Sequence, residues 1–249
     1  MAAARPIRHR ARRSSGSREV RIGSIARLDR GRGERLGIPE LVLAEGKRID
    51  HLITIVRHLA AERHGALISR PSPGQLRRLR DEARRGLPLT FLASGRLVRL
   101  AGPLSTPRLL RAPVVLLAAG TSDVPVAEEC RAVLAELGAR PAVAYDVGVA
   151  GLHRLLRVLA RFERLRPAAY LVFAGREGAL PTVVAGLVRA PVLGIPVSVG
   201  YGRGGRGEAA LNAMLQSCAP IAVVNIDAAV PAALWAARLL GRLAPAAAR

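Results

Sequence analysis

Five times after Pro113, a short apolar run is followed by a loop and then by a helical stretch, and that alternation constrains the fold more than any other feature. Val114–Ala118 leads through Gly120–Asp123 into a helix over Pro125–Leu137, and Ala142–Tyr145 leads into one over Leu152–Arg164. Tyr170–Ala174 precedes a helix over Leu180–Val188, Val192–Ile195 one over Glu208–Ser217, and Ile221–Asn225 one over Ala232–Leu243. Pro125 has the φ that a first helical turn prefers. Gly138 sits where a helix ends on a left-handed residue. Successive β-α units with short connections specify a three-layer α/β/α sandwich around a parallel sheet, with right-handed crossovers.

The chain upstream is organised differently. Residues 1–20 are Arg, Ser and Gly without periodicity and read as a disordered basic tail. Residues 21–102 read as a small α/β domain. Leu52, Ile55, Val56 and Leu59 recur at helical spacing within Arg48–Arg63, as do Leu76, Leu79 and Ala83 within Ser72–Arg85. Ser72 with Gln75 makes a capping box at the start of the second helix. Leu41–Leu43, Ala66–Ile68 and Leu89–Leu92 are candidate strands, residues 103–112 read as a linker, and residues 113–249 as the larger domain.

Charge and cysteine content narrow the function. The formal net charge is +21, but only Lys47 among the 39 basic residues is a lysine. Arginine excess beside heavy alanine is a residue-usage bias, and with 3% aromatics nothing is interleaved for base stacking, so nucleic-acid binding is not the expected role. The apolar run from Ala112 to Ala119 is far short of the ~20 residues that span a bilayer, and Met1–Val20 has no apolar core of a secretory signal. Two cysteines form no disulfide framework. A cytoplasmic protein is expected, and its half-apolar composition points to a homo-oligomer.

Loops at the carboxyl ends of parallel strands are where such sheets take ligands. Gly120-Thr121-Ser122-Asp123 opens a helix and offers backbone N–H groups and a hydroxyl to a phosphate or carboxylate; alone, Ser122 or Asp123 is as well read as a helix cap. Asp146, Gly148 and Gly151 space two glycines across the next loop, as a nucleotide-approaching backbone does. His153 is a candidate proton carrier, although a lone histidine is more often packed or capping. Glu177, between glycines in Gly175-Arg176-Glu177-Gly178, has no helix face to solvate it. Cys218, in Leu215-Gln216-Ser217-Cys218-Ala219-Pro220, is expected to meet these loops and give the pocket a thiol. By itself it would be a buried structural cysteine, the reading that suits mid-helix Cys130. Val199–Gly207 reads as a flexible glycine-rich loop over the site.

These segments, in this order, resemble a known family. The words Ala119–Asp123 with Pro125–Glu129, Tyr145–Arg154, Glu177–Pro181, Pro196–Gly202, Ala213–Ala219 and Val223–Asp227 look like the catalytic domain of the LarB family, pyridinium-3,5-biscarboxylic acid mononucleotide synthases of nickel-pincer cofactor biosynthesis. That domain is related to the aminoimidazole ribonucleotide carboxylase (PurE) fold. Leu28-Asp29, Arg35, Gly37–Glu40 and Glu45–Lys47 resemble its amino-terminal part. The chain departs from the family's pattern at Arg203–Glu208 and at Ala228–Pro231.

The resemblance implies that the substrate is nicotinic acid adenine dinucleotide, carboxylated at pyridinium C5 by CO2 or bicarbonate and cleaved at its phosphoanhydride to release AMP. It implies Cys218 as nucleophile, Asp123 or Glu177 as the base at C5, and His153 and Ser122 as groups positioning CO2 or the ring carboxylate. Gly120, Thr121, Asp146, Gly148, Gly151, Gly175, Gly178, Ser198, Gly200, Tyr201, Asn225 and Asp227 would line the substrate. No tightly bound cofactor and no metal cluster are expected, with Mg2+ a candidate co-ion for the diphosphate, and related domains assemble as octamers. The alternatives are a purine-pathway carboxylase or mutase on the same fold and a non-enzymatic nucleotide- or RNA-binding module.

Overall fold

The computed structural model describes residues 19–29, 31–32, 36, 38–104, 111–200 and 202–244. Most of the basic tail (1–18), the middle of the linker (105–110) and Tyr201 therefore lie outside the described residues. Glu19 and Val20, placed in the tail by composition, belong instead to a strand. β1 (Glu19–Ile22) pairs antiparallel with β2 (Ala26–Asp29), and Ile22 and Leu28 tuck into the amino-terminal core.

The amino-terminal unit is a four-stranded sheet of order β3-β4-β6-β5, with β3 (Leu41–Leu43), β4 (Ala66–Ser69), β5 (Leu89–Leu92) and β6 (Leu97–Leu100). β3 and β4 run parallel, and β6 is antiparallel to both its neighbours. Helices α1 (Ile49–Ala61) and α2 (Pro73–Arg84) connect them, and α1 buries Leu52, Ile53, Ile55, Val56 and Leu59. The capping box forms: Gln75 N–H donates to Ser72 Oγ (3.3 Å) and Ser72 N–H donates to Gln75 Oε1 (2.7 Å). Two backbone donors at the helix start are thereby satisfied.

The carboxy-terminal unit follows the expected alternation. Strands β7 (Val114–Ala118), β8 (Pro141–Ala144), β9 (Ala169–Ala174), β10 (Val192–Pro196) and β11 (Ile221–Val223) form one parallel sheet of order β11-β10-β9-β7-β8. Helices α3 (Val124–Glu136), α4 (Leu152–Glu163), α5 (Ala179–Ala185), α6 (Glu208–Leu215) and α7 (Ala229–Leu243) cover it. α3 and α7 pack on one face with β7, β9 and β10, whereas α4, α5 and α6 bury the other. β9 is buried along its whole length, each large aliphatic or aromatic side chain contributing about 1.5–3 kcal/mol. α3 ends as its sequence requires: Gly138 takes φ +82° and donates to Ala135 O at 2.9 Å.

The two units share a core and a buried ion cluster. Leu67 and Leu97 of the amino-terminal sheet pack within the cluster that holds α3. Glu129 on α3 is fully buried, accepts from Arg96 at 3.0 Å and lies 3.6 Å from Arg70. Burial raises its carboxyl above the ordinary value even though both guanidinium groups pull the other way. Nearby, Arg99 donates to Glu136 at 3.0 Å. Removing one partner of a buried ion cluster leaves a charge without compensation, so Arg96→Ala is expected to cost about 3 kcal/mol in urea unfolding, the low end of such effects because Arg70 remains.

Candidate active site

The loops leaving the carboxyl ends of the large sheet are tied to one another by their backbones. Ala119 N–H donates to Phe173 O (2.9 Å), Val147 N–H to Ala118 O (3.1 Å), Val197 N–H to Ala174 O (3.0 Å) and Asp227 N–H to Pro196 O (2.8 Å). Each bond joins the end of one strand to the exit of its neighbour. The rim they make encloses a cavity of about 350 Å³ lined by Gly120, Ser122, Asp123, Gly148, Gly175 and Glu177 among others. That volume lies within the roughly 300–1,000 Å³ of small-molecule sites.

Asp123 is the residue that joins these loops. It is 3% exposed; Oδ2 accepts from Gly120 N–H at 2.8 Å and Oδ1 from Gly175 N–H at 3.2 Å. Burial is the largest influence on its carboxyl and raises it above the ordinary value of 3.8, the two N–H donors oppose that, and the charges of Asp227 and Glu177 push it up again. The approach of Gly175 is too close for any other residue. A Cβ there would stand 2.5 Å from Val199 O and 3.2 Å from Asp123 Oδ1.

Ser122, Glu177, Gly120, Gly148 and Gly175 thus line one cavity with Asp123, as the sequence suggested. Gly178 (φ +66°) lies beside it and packs against the backbone of Ala210 in α6. Ser198 and Asp227 meet at the rim, where Ser198 N–H donates to Asp227 Oδ1 at 2.9 Å. Thr121, Asp146, Gly151, Gly200 and Asn225 do not line this cavity. Asp146 instead pairs with Arg154, and Asn225 Oδ1 accepts from its neighbour Ile226 N–H. His153 is exposed in the first turn of α4 and also stays outside the lining.

Cys218 needs the largest correction. It lies between the end of α6 (Leu215) and the start of β11 (Ile221), so it sits at the amino-terminal edge of the parallel sheet. The cavity is at the opposite edge, and within one chain the thiol does not join it. The alternation itself carried this information, because helix-to-strand connections return to the edge opposite the strand-to-helix loops. Nor is Cys218 a buried thiol: it is exposed, whereas Cys130 is buried and its thiol is pushed well above the usual value by burial. The preceding hydroxyl is held, since Thr182 donates to Ser217 Oγ at 2.8 Å and Ala219 N–H donates to the same oxygen at 3.1 Å.

Sequence reading missed two supports of the rim. The Tyr145 hydroxyl donates to Glu128, which Arg131 holds bidentately at 2.7–2.9 Å, anchoring the start of the Asp146–Gly151 loop to α3. Val149, Ala150, Leu180 and Val199 supply the apolar lining. Tyr145 falls within a matched word, but nothing local in the sequence pairs it with Glu128. Among the described residues no group of three or more His, Cys, Asp or Glu is placed to hold a metal ion, and no helix is long and apolar enough to cross a membrane.

A glycine-lined cavity over the carboxyl ends of a five-stranded parallel sheet, with a buried carboxylate fixed by two backbone donors, defines an α/β protein with a cavity of small-molecule size. The chain belongs to the AIR carboxylase family, whose profile matches residues 113–249, and residues 20–100 match the LarB/PurE-like N-terminal domain. It is 37% identical over 84% of its length to an uncharacterized protein of Methanocaldococcus jannaschii, of which it covers 82%. It is 32% identical to the N5-carboxyaminoimidazole ribonucleotide mutase of Pyrococcus horikoshii, over 48% of this chain and 67% of that protein. PurE of Treponema denticola superimposes with a TM-score of 0.45 at 28% identity, over 53% of this chain and 82% of that one. The family is one of carboxylases and mutases.

Proposed function

We propose that the protein carboxylates C5 of the pyridinium ring of nicotinic acid adenine dinucleotide and hydrolyses the phosphoanhydride with one water, yielding pyridinium-3,5-biscarboxylic acid mononucleotide and AMP. The observation that carries this reading is the union in one chain of an AIR carboxylase domain with an amino-terminal unit of the LarB/PurE-like type. A thiol on the sheet edge adds chemical support, because an electron-poor pyridinium cannot attack CO2 unaided. A thiolate adding to C6 turns the ring into a dihydropyridine in which C5 is an enamine carbon. C5 then forms the new C–C bond to CO2. A base takes the C5 proton, and the electron pair of that C–H bond restores the ring as the thiolate leaves C6. Covalent catalysis replaces one inaccessible step with two accessible ones.

Of the two carboxylates weighed as base, Asp123 is the better proton acceptor. Its carboxyl is buried and held at a raised value, whereas the Glu177 side chain is 64% exposed beside Arg176. Ser122 and the Gly120 and Gly148 backbones position the ring carboxylate and ribose phosphate. Cys218 and the Asp123 cavity lie at opposite edges of one sheet, so the thiol serving a given cavity comes from a second copy of the chain. Exposed Leu187 (49%) and Leu215 (64%) at the thiol's edge suit a face covered by that copy. Eight copies is the assembly that the family resemblance implies.

The names of the Pyrococcus relative and its counterparts favour a second reading, rearrangement or carboxylation of an aminoimidazole ribonucleotide. Incubation of the protein with each substrate and labelled bicarbonate separates the two. The expected result is a labelled, doubly carboxylated pyridinium mononucleotide plus AMP. Label in the aminoimidazole ribonucleotide with an unchanged dinucleotide would establish the purine reading instead.

A further inference from the structure

A second cavity, of about 570 Å³, lies between the amino-terminal unit and the large sheet and is larger than the one around Asp123. Lys47, Arg70, Ser94 and Arg96 of the amino-terminal unit line it together with Asp227 from the loop after β11. The strap after β10 separates the two spaces. Val199 lines the Asp123 cavity, while the neighbouring Ser198 N–H holds Asp227 at 2.9 Å on the other side. Asp227 also stands close enough to Asp123 for its charge to act there. The two cavities are therefore adjacent parts of one surface.

The wall of the second cavity is built rather than incidental. Gln75 is 2% exposed, and its side-chain amide donates to Ala44 O and Lys47 O, both at 2.8 Å, while its carbonyl closes the capping box. The turn carrying Glu45-Gly46-Lys47 is thus pinned to the start of α2. Three of the nine non-glycine residues with left-handed backbone among the described residues line this cavity: Arg70 (φ 52°), Ser94 (φ 53°) and Asp227 (φ 54°). Such strain gathers at ligand clamps when the surrounding structure enforces it.

Its charges leave a cation available. Glu45 lies 3.4 Å from Arg70, and Asp227 accepts from Ser198, so both carboxylates are engaged. Lys47 has a fixed backbone, an exposed side chain and no ion pair among the described residues. Arg70 and Arg96 are only one-quarter and about one-third exposed, held in place from beneath by Glu129. An unpaired lysine beside two guanidinium groups held in place suits a phosphate.

We propose that this cavity binds the nucleoside monophosphate half of the dinucleotide, with Lys47 engaging its phosphate. The inference rests on the dinucleotide reading above and gives the amino-terminal unit a part in substrate binding. It is tested by calorimetric titration of AMP into the full-length protein and into Lys47→Glu, with adenosine and inorganic phosphate as comparators. AMP should bind the wild-type chain, and Lys47→Glu should weaken that binding and raise the KM for the dinucleotide, each at least about tenfold. Equal AMP affinity in the two proteins overturns the proposal. So does inorganic phosphate binding as tightly as AMP, which would mark a simple anion site. Dinucleotide turnover with an unchanged KM in Lys47→Glu sinks this subsite and spares the function. AMP binding that depends on Lys47, in a protein that leaves the dinucleotide intact, upholds the nucleotide subsite and sinks the function.

Discussion

Cys218→Ser is expected to lower carboxylation of the dinucleotide by at least about a thousandfold, roughly 4 kcal/mol of transition-state stabilisation, with the thermal unfolding midpoint unchanged. The thiol is exposed on the connection into β11, so serine in its place disturbs no packing. Its hydroxyl stays protonated near neutral pH and is a poor nucleophile toward a pyridinium carbon. Cys130→Ser is the opposite case. Serine is nearly isosteric, but Cys130 is fully buried in the core under α3. A hydroxyl without a partner there costs about 1–3 kcal/mol. The expected result is a lower unfolding midpoint with turnover per folded molecule retained.

Asp123→Asn is expected to reduce turnover by about 10²–10⁴, the range for loss of a positioned general base. The asparagine amide can accept from only one of the Gly120 and Gly175 donors, and its NH2 group faces the other, so a moderate stability loss accompanies the kinetic one. The pH dependence gives a separate readout. A carboxyl raised on folding binds its proton more tightly in the folded chain. The stability it contributes is full below the ordinary value of 3.8 and is lost as the pH rises through its own raised value. Over the same window the ionised, proton-accepting form grows. Wild-type turnover should therefore rise with pH above the range set by an ordinary aspartate, and Asp123→Asn should lack that limb. A wild-type acid limb retained in Asp123→Asn would assign the base to Glu177.

The parallel sheet was legible because its strands are continuous aliphatic runs punctuated by glycine loops. Val114–Ala118 matches its predicted bounds, and Ser72 with Gln75 forms the expected capping box. The ends of α5 and β11 were overestimated, since Gly186 caps the helix and the ladder with β10 ends at Val223, after a last bond from Val224 N–H to Gly194 O. β1, β2 and β6 were missed. Glu19-Val20-Arg21-Ile22 alternates within arginine-rich sequence, and Leu97–Leu100 becomes a strand only by pairing with β4 and β5. In the site, residues following strands were placed well: Gly120, Ser122, Asp123, Gly148, Gly175 and Glu177 do meet. What failed was the assumption that a chemically apt residue joins the nearest pocket. The position of Cys218 depends on which edge of the sheet its connection occupies, and that is a matter of topology rather than of local pattern. The Glu129 cluster was also invisible, because its partners lie far away in the sequence.

One measurement tests most directly whether the Asp123 cavity and the Cys218 thiol act together on a single ring. Cys218→Ser and Asp123→Asn chains, each inactive alone, are unfolded, mixed in equal amounts and refolded into joint assemblies, then given the dinucleotide and labelled bicarbonate. If the cavity of one copy takes the thiol of another, a cavity intact in Cys218→Ser meets a thiol intact in Asp123→Asn, and random mixing should restore about a quarter of wild-type carboxylation. Mixed assemblies as inactive as their parents, beside wild-type assemblies that regain full activity through the same treatment, would contradict the account.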